Sequence, residues 1–550
     1  MLCHAIILLV NEGCICYNIS AMYIRTKVFK NKDGTTRTYL YIVEGKRVNG
    51  KVRQEIVANL GRLEELQKGE LDKLIEGLAK YSHQQWIQAQ AHSVDPKWAK
   101  ELGPALIFRR LWENLNLNKI LENLLANTEI SIDVEEAIFA MVLNRLCDPR
   151  SKLGITKWKE TVYRPQFKQL KLNHFYRSLD FLAEHKNKIE EQLFERVKTL
   201  FNLELDLVFW DTTSTYFEGK KAKNLAQYGF SKDNRPDKLQ VIIGVLMTRD
   251  GTPVAHKVFP GNTSDVDTFR EALHDLQKRF KIRNVILVGD RGMVSKKILE
   301  EIEAAGLQYI VGVRMRKLKA TADVLNRAGR YHQVKENLKV KGVLHKGTRY
   351  IICYNPEEAE YDRLAREEMV QKLEQKLKAN GFKSLLKNRG YRRYLKVNGV
   401  SATIDKDALK AEARYDGKYV LQTNTHLSPE EAAVAYKGLW QVERAFREIK
   451  SGLELRPIGH WNKQRICGHI MVCFLAFVLE VSLRKKLKEL GCDEPYQNLM
   501  TDLEQLKAVE IVVGNQTYLA RTDLTGKAYD LFKAVGLRPP NKVLEVMPSS

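Results

Sequence analysis

The chain has few cysteines, and none has the spacing of a zinc ribbon. Only eight occur in 550 residues, and no two are separated by two residues. A disulfide-stapled scaffold and a paired-cysteine metal site are therefore excluded, and reduced thiols in a cytoplasmic protein are expected. Long apolar runs are lacking too. Residues 5–10 are too few to span a bilayer, and the run 466–481 contains His469 and Glu480, so it predicts a core helix and no membrane segment.

The first residues differ from the rest of the chain. Residues 1–21 are apolar and hold three of the eight cysteines, whereas a pattern rich in lysine and arginine begins at Met22. We predict that Met22 is the natural start and that residues 1–22 are a non-native or disordered extension.

Acidic residues are in deficit. Lys and Arg number 90 against 67 Asp and Glu, which gives a net charge of +23. A surplus of this size favours a polyanionic partner, because neutralising phosphates releases counterions. Ribosomal, nuclease and membrane-surface proteins share this property, so the charge indicates a class of partner and no reaction.

The apolar pattern changes period along the chain. Apolar and polar residues alternate in residues 23–60, so residues 23–98 are predicted to be a small β-rich module and linker. In residues 99–204 apolar residues recur at spacings of three and four, which predicts helices. The central region predicts strands at 205–216, 240–248, 253–259, 284–290, 308–313 and 417–424, with helices at 265–280, at 295–305 and from Ser428. This order predicts an α/β fold, a mixed sheet flanked by helices, with a core formed by 205–313 and 416–482.

Two segments lie outside this pattern. Residues 314–415 predict a basic inserted domain, within which Tyr391, Arg392, Arg393 and Tyr394 combine aromatic rings with cations and suggest nucleic-acid contact. A solvated charged face is the alternative. Residues 483–550 predict a C-terminal helical tail.

A carboxylate ends each of two apolar strand patterns. Asp211 follows LVFW and Asp290 follows ILVG. Ligand sites of open α/β sheets gather at the carboxyl ends of strands, so the two acids are candidates for one site. The hydroxyl residues 212–215 after Asp211 could orient water or phosphate, although β-propensity alone explains them.

A third acid lies in the late helical segment 436–461. Tyr436, Glu443, Arg447 and Lys450 fall on one stripe of a continuous helix, which places an acid beside phosphate-binding groups. The same spacing is equally compatible with a solvent-exposed helix face that carries a Glu443–Arg447 ion pair.

Together these motifs resemble the DDE transposases of bacterial insertion sequences. The resemblance lies in DTTSTYF (211–217), GNTSD (261–265), VGDRG (288–292), TN (423–424) and the late Y…E-x6-K. It is to the subgroup with a ribonuclease-H-like core, a large insertion before the last catalytic helix and a Y-x2-R-x3-E-x6-K signature. The arginine of that signature falls at position 439, which is Leu439 in this chain. Its contact with phosphate would then be made by Arg447 or Arg444.

The resemblance implies a function and its residues. Asp211, Asp290 and Glu443 would be metal-binding catalytic acids holding two Mg²⁺ or Mn²⁺ ions, and Tyr436 and Lys450 would contact phosphate. Two divalent ions about 3.5–4 Å apart can activate the nucleophile and stabilise the leaving oxygen of a phosphodiester. The expected partner is double-stranded DNA, both transposon ends and target, bound by a homodimer whose residues 99–204 recognise the ends.

Further residues and readings stay open. Arg291 could contact DNA or form an ion pair beside Asp290, and Asn262 and Asp265 favour helix capping. Two other functions are compatible with the sequence. One is a catalytically silent, transposase-derived DNA-binding protein, and the other is a metal-free recombinase with Tyr436 as the nucleophile.

Overall fold

A computed structural model of the chain describes residues 21–48, 51–66, 69–79, 81, 94–126, 128–200, 207–217, 225–280, 286–290, 295–316, 319–380, 385, 388–398, 401–456, 458–514 and 516–548. Its contacts divide the chain into two units, residues 1–94 and 95–550. Residues 1–20 of the predicted N-terminal extension lie outside the described ranges, and Ala21 and Met22 begin the first strand.

The first unit is a three-stranded antiparallel sheet with two short helices. Its elements are β1 (Ala21–Lys30), β2 (Thr36–Val48), β3 (Lys51–Arg62), α1 (Leu63–Leu66) and α2 (Glu70–Ala79). The strands lie in the order β1-β2-β3, as the alternating pattern predicts.

The second unit begins with one strand and a helical region. Its elements are β4 (Val94–Glu101), α3 (Gly103–Asn114), α4 (Leu117–Leu125), α5 (Val134–Cys147), α6 (Lys152–Trp158) and α7 (Leu172–Leu200). Asp133 and Ser151 begin α5 and α6 with side-chain caps that accept from the backbone N–H groups of the first turn.

A nine-stranded mixed sheet forms the centre of this unit. Its strands are β5 (Leu207–Tyr216), β6 (Gln240–Thr248), β7 (Pro253–Pro260), β8 (Ile286–Gly289), β9 (Gln308–Gly312), β10 (His332–Lys335), β11 (Leu338–His345), β12 (Thr348–Tyr354) and β15 (Lys418–Thr423). Their order is β10-β11-β12-β15-β9-β8-β5-β6-β7. Strands β5, β8 and β9 are parallel, and β6 runs antiparallel to β5. The five strands β9-β8-β5-β6-β7 thus have the order and directions of a ribonuclease-H-like sheet, which confirms the predicted fold class.

Helices cover the sheet, and their bounds follow the sequence closely. They are α8 (Asp265–Lys278), α9 (Lys296–Ala304), α10 (Lys319–Asn326), α11 (Pro356–Asn380), α12 (Arg389–Arg392), α13 (Lys406–Ala413), α14 (Pro429–Lys437), α15 (Trp440–Arg447) and α16 (Lys463–Glu489), with the hairpin strands β13 (Leu395–Asn398) and β14 (Ser401–Ile404) between α12 and α13. Ser264 caps α8, and Ser428 caps α14 in a capping box with Glu431.

The long apolar helix α16 is a core element. By length and composition it could cross a membrane, but 89% of its most apolar window is buried inside the protein. It packs against α5 and α7, so the helical region and the sheet share one hydrophobic core. The sequence predicted this role for the run 466–481.

The two segments outside the core pattern differ from expectation. Residues 314–415 are only partly a separate insertion, because β10, β11 and β12 extend the central sheet. The prediction of a helical tail was wrong in part: the tail contains the helices α17 (Tyr496–Glu504) and α18 (Ala528–Ala534), but also the strands β16 (Lys507–Val513), β17 (Gln516–Arg521) and β18 (Val543–Pro548). These strands form a sheet in the order β18-β17-β16-β4, in which β16 and β17 are a hairpin and only β4 is remote in sequence.

Candidate active site

Two aspartates meet at the end of a parallel strand ladder. Trp210 of β5 pairs with Gly289 of β8, and the ladder ends at this pair. Asp211 and Asp290 are the next residues, so they lie side by side on strands about 4.8 Å apart. Asp211 is the fifth residue of the ten-residue strand β5, whose antiparallel pairing with β6 continues to Tyr216. The sequence predicted that Asp211 lies at the end of its strand. This is true of the pairing with β8, which ends before Asp211, and is not true of the pairing with β6.

The backbone around Asp211 is tightly packed. Gly244 of β6 lies opposite Thr212, and a Cβ there would fall 2.2 Å from the Trp210 indole. The indole thus occupies the space that a side chain at Gly244 would need. This packing fixes the position of β5 at the residue before the carboxylate.

The carboxyl of Asp211 is electrostatically strained. Its pKa is raised to about 6, mainly by burial and also by the charges of Asp290 and Glu443, while Lys232 and the N–H of Thr212 act in the opposite direction. The charge of the third acid thus acts on the first. Three neighbouring carboxylates repel one another and favour a bound cation.

Lys232 is a site residue that the sequence reasoning missed. Its Nζ lies 3.6 Å from Asp211 Oδ1 and donates to the backbone oxygen and the hydroxyl of Thr212, at 2.6 and 3.0 Å. The lysine belongs to the long connection between β5 and β6. A charged run in the connection that follows the strand of Asp211, SKDNRPDK (231–238), was the available signal.

Tyr436 contacts one of the acids directly. Its hydroxyl donates to Asp290 Oδ1 at 3.2 Å, and its ring stacks on Tyr419 with centroids 5.9 Å apart. Tyr436 was predicted to contact phosphate, and the structure places its hydroxyl within hydrogen-bonding reach of a carboxylate at the site.

The late helix is not continuous, contrary to the predicted single stripe. Helix α14 ends at Lys437, and hydrogen bonds of the i to i+3 type tighten the backbone from Gly438 to Val442. After α15 the backbone widens into a π-helical turn, Glu448–Gly452. A Cβ on Gly438 would lie 2.5 Å from the Phe209 ring, so close packing on β5 accompanies the first break.

These breaks separate the four residues of the predicted stripe. Glu443 and Arg447 are exposed on α15, as is Arg444, the other candidate for the missing signature arginine. Lys450, in contrast, is buried: its Nζ donates to Asp233 Oδ1 at 2.7 Å, and Arg456 lies 2.9 Å from the same oxygen. Burial lowers the pKa of Lys450, and Asp233 opposes that shift. Contact of Lys450 with phosphate stays a prediction.

The GNTSD turn is bonded to the strand that holds the first acid. Ser264 caps α8, whereas Asp265 accepts a hydrogen bond of 2.9 Å from the hydroxyl of Thr212. The capping role expected for Asp265 is thus carried by its neighbour. Asn262 lines a pocket between this turn and β5.

The residues outside the core that were predicted to contact DNA differ in their exposure to solvent. Arg392 is exposed, and Arg393 lies over the Tyr394 ring and donates to Glu412 at 3.4 Å. Tyr391 is half-buried beneath Lys376. Tyr394 is only 2% exposed, so its ring is unavailable for the base stacking that the sequence suggested. Arg291 lies outside the described residues.

The site offers the donors that a hard divalent cation prefers. Asp211 and Asp290 present carboxylate oxygens side by side, and the negative charge of Glu443 contributes to the raised pKa of Asp211. Within the described ranges, no three His, Cys, Asp or Glu residues stand close enough together to hold an ion. The donor chemistry of the two aspartates fits Mg²⁺ or Mn²⁺, and Glu443 is exposed on α15.

Comparison with known proteins identifies the family. The model of the transposase DDE domain matches residues 205–479, and that of the IS1634 family transposase, N-terminal domain, matches residues 24–91. No curated protein matches significantly. Among solved structures, the chain is similar to "Mos1 transposase paired-end complex with left transposon end", at 12% identity and a TM-score of 0.15. That match covers 33% of this chain and 60% of the other. Because the DDE domain model spans half of the chain, this protein belongs to the DDE transposase family.

Proposed function

We propose that the protein is an active transposase that cleaves DNA at the terminal inverted repeats of an insertion sequence and joins the 3′-hydroxyl ends to target DNA. The observation that carries the proposal is the juxtaposition of Asp211 and Asp290, with the charge of Glu443 acting on the first of them. These are the three acids that the family resemblance marks.

Asp211, Asp290 and Glu443 would hold two Mg²⁺ or Mn²⁺ ions, which when bound supply an activated attacking oxygen and a neutralised leaving oxygen. The chain itself contributes orientation. Tyr436 fixes one oxygen of Asp290, and the cation of Lys232 lies beside Asp211, where a DNA phosphate would approach. Both groups are in place without DNA, which lowers the cost of arranging them during the reaction.

The proposed partner is double-stranded DNA. The charge of +23 supports binding to the phosphate backbone, and exposed cations such as Arg444 and Arg447 lie on the same helix as Glu443. Joining two ends requires both to be held at once, so we propose a homodimer in the DNA complex. The protein would act in the cytoplasm, on DNA of the nucleoid.

The test is cleavage of duplex DNA carrying the inverted repeats that flank the coding sequence. With Mg²⁺ or Mn²⁺ we expect nicks at the repeat ends that leave 3′-hydroxyls, and with EDTA no nicks. Asp211→Ala, Asp290→Ala and Glu443→Ala should each abolish cleavage and leave DNA binding measurable. Asp237→Ala is the matched control, because this aspartate is exposed and pairs with Arg235.

Other outcomes would identify other functions. Cleavage that persists in EDTA and is lost only in Tyr436→Phe would indicate a metal-free tyrosine recombinase. Footprints on the repeat ends without cleavage at any metal concentration would indicate a silent DNA-binding protein. Full activity of all three alanine variants would contradict the proposal.

A further inference from the structure

A pocket of about 450 Å³ adjoins the first catalytic aspartate. Its wall includes Thr212 and Ser214 of β5, Asn262 of the GNTSD turn, and Phe230 and Lys232 of the connection between β5 and β6. Lys232 also reaches Asp211 Oδ1, so the pocket and the acids share one cation. The volume lies within the range of small-ligand sites, about 300–1,000 Å³.

An aromatic ring stands exposed at this pocket. Phe230 is 84% exposed, although an apolar side chain of that size gains free energy from burial. Tyr228, two residues earlier, is 56% exposed. Single exposed apolar residues are common on protein surfaces. What distinguishes Phe230 is that it lines the same pocket as Lys232, whose Nζ lies 3.6 Å from Asp211 Oδ1.

The segment that carries Phe230 is firmly anchored. The backbone oxygen of Phe230 accepts from Gln240 Nε2 at 2.9 Å, and the N–H of Lys232 donates to Ser214 Oγ at 2.8 Å. Gly229 lies so close to the GNTSD turn that a Cβ would fall 2.1 Å from the oxygen of Gly261.

A buried ion pair completes the anchoring. Asp233 is held by Lys450 and Arg456, both from the segment after α15. Backbone, side-chain and ionic contacts from three separate elements therefore hold residues 229–233. These contacts fix the backbone that carries the exposed Phe230 ring.

We propose that this pocket receives the nucleotide next to the scissile phosphate, with its base stacked on Phe230 and its phosphate facing Lys232. The inference rests on the proposed function. An aromatic face stacks on any base, and the adjoining cation suits the phosphate. Phe230 is then a residue that positions the DNA strand at the acids.

The test combines a protein change with a DNA change. Full-length wild type and Phe230→Ala are assayed on the repeat-end duplex, either intact or abasic at one of the two nucleotides flanking the scissile bond. A base–aromatic stack corresponds to about a fivefold to hundredfold effect. On the intact duplex, cleavage by Phe230→Ala should fall by that factor, with Phe230→Tyr restoring it.

The abasic duplex distinguishes the loss of base stacking from a general loss of cleavage activity. Wild type should lose a similar factor on abasic DNA, and Phe230→Ala should lose little more, because the same contact is removed twice. Tyr529→Ala, which removes an exposed ring on α18, should behave as wild type.

Two results would overturn the inference: equal rates for wild type and Phe230→Ala, or losses that multiply fully at both flanking positions. Either one, with Asp211→Ala inactive in the same assay, leaves the transposase assignment intact. Activity of Asp211→Ala would instead contradict the proposed function. Thermal unfolding of each variant confirms that it is folded.

Discussion

The hydroxyl of Tyr436 donates a hydrogen bond to Asp290, 146 residues earlier in the chain. The bond joins the end of α14 to the end of β8, and the Tyr436 ring is further held by stacking on Tyr419 of β15. A carboxylate that we propose as a metal ligand is therefore oriented by a group on a different element. Such supporting contacts tune the position and basicity of the ligand they touch.

Tyr436→Phe tests this support, because it removes the hydroxyl and keeps the ring. A hydrogen bond to a charged group is worth about 1.5–3 kcal/mol, so we expect the cleavage rate to fall by about 10- to 100-fold. Tyr419→Phe, which removes the hydroxyl of the other stacked ring, should change the rate much less. Equal effects of the two variants would contradict a specific role for the Tyr436–Asp290 bond.

Asp211→Asn should stabilise the metal-free protein while it abolishes cleavage. The pKa of Asp211 is raised from 3.8 to about 6, so the folded state binds its proton more tightly than the unfolded state. The favourable contribution is present below pH 3.8 and is lost as the pH rises through 6. Above pH 6 we expect the variant to exceed wild type by about 3 kcal/mol.

Thermal unfolding in EDTA at a series of pH values measures this difference. The gap between Asp211→Asn and wild type should narrow as the pH falls toward 4. Asp237→Asn is the control of opposite sign, since the hydrogen bond from Arg235 lowers the pKa of Asp237 to about 2. A wild type more stable than Asp211→Asn at pH 7.5 would show that the carboxylate is not strained.

The ion pair between Asp233 and Lys450 should behave as one unit. Removing Asp233 leaves the buried Lys450 uncompensated, at a cost of about 3–5 kcal/mol, whereas removing Lys450 leaves Asp233 paired with Arg456 and should cost less. We expect Lys450→Met and Asp233→Asn each to lower the unfolding temperature and the cleavage rate. The double variant should lose less than the sum of the two, and an additive result would show that the pair does not couple.

A buried charge network supports the interface between α7 and the sheet. Glu190 is fully buried and accepts from Lys186 at 2.7 Å and from Arg279 at 3.0 Å. Glu190→Gln leaves the buried Lys186 without its anion and removes one of the carboxylates that pair with Arg279, so we expect a loss of about 3–5 kcal/mol in the free energy of unfolding. Glu191→Gln, at a partly exposed partner of Arg279, should cost much less. Similar unfolding temperatures for the two variants would contradict this account.

The same network gives an acid dependence of stability. Burial and, to a lesser extent, the charge of Lys186 lower the pKa of His256 to about 4, although Glu190 acts in the opposite direction. Burial alone would raise the pKa of Glu190, but Lys186, His256 and Arg279 outweigh it and hold the value well below 4.5. Both groups bind protons more weakly when folded, so stability should fall as the pH drops from about 6.5 toward 4 and below. Urea unfolding at pH 7, 5.5 and 4.5 checks this trend in wild type.

Much of the secondary structure was predictable because its signals are local. The strand 240–248 has the predicted bounds, β5 begins two residues later than predicted, and β7 and β9 each end within one residue of the predicted position. The caps of α8 and α14 were readable from Ser264 and Ser428, since a cap and its first turn lie within four residues. The tail strands β16 to β18 were missed although β16 and β17 are adjacent in sequence and pair with each other as a hairpin. In this sheet only the pairing of β16 with β4 joins segments remote in sequence.

The sequence alone determined the three candidate acids, the spacing of the apolar residues and the types of the secondary-structure elements. Each of these depends on neighbours a few positions apart. Tertiary structure alone decided that Trp210 pairs with Gly289, that the late helix narrows at Gly438 and widens at Glu448, and that Lys232 and Asp233 belong to the site. Such features arise where elements distant in sequence pack in contact. Strand register and helix phase adjust there to fill space and pair charges, and no short stretch of sequence contains both partners.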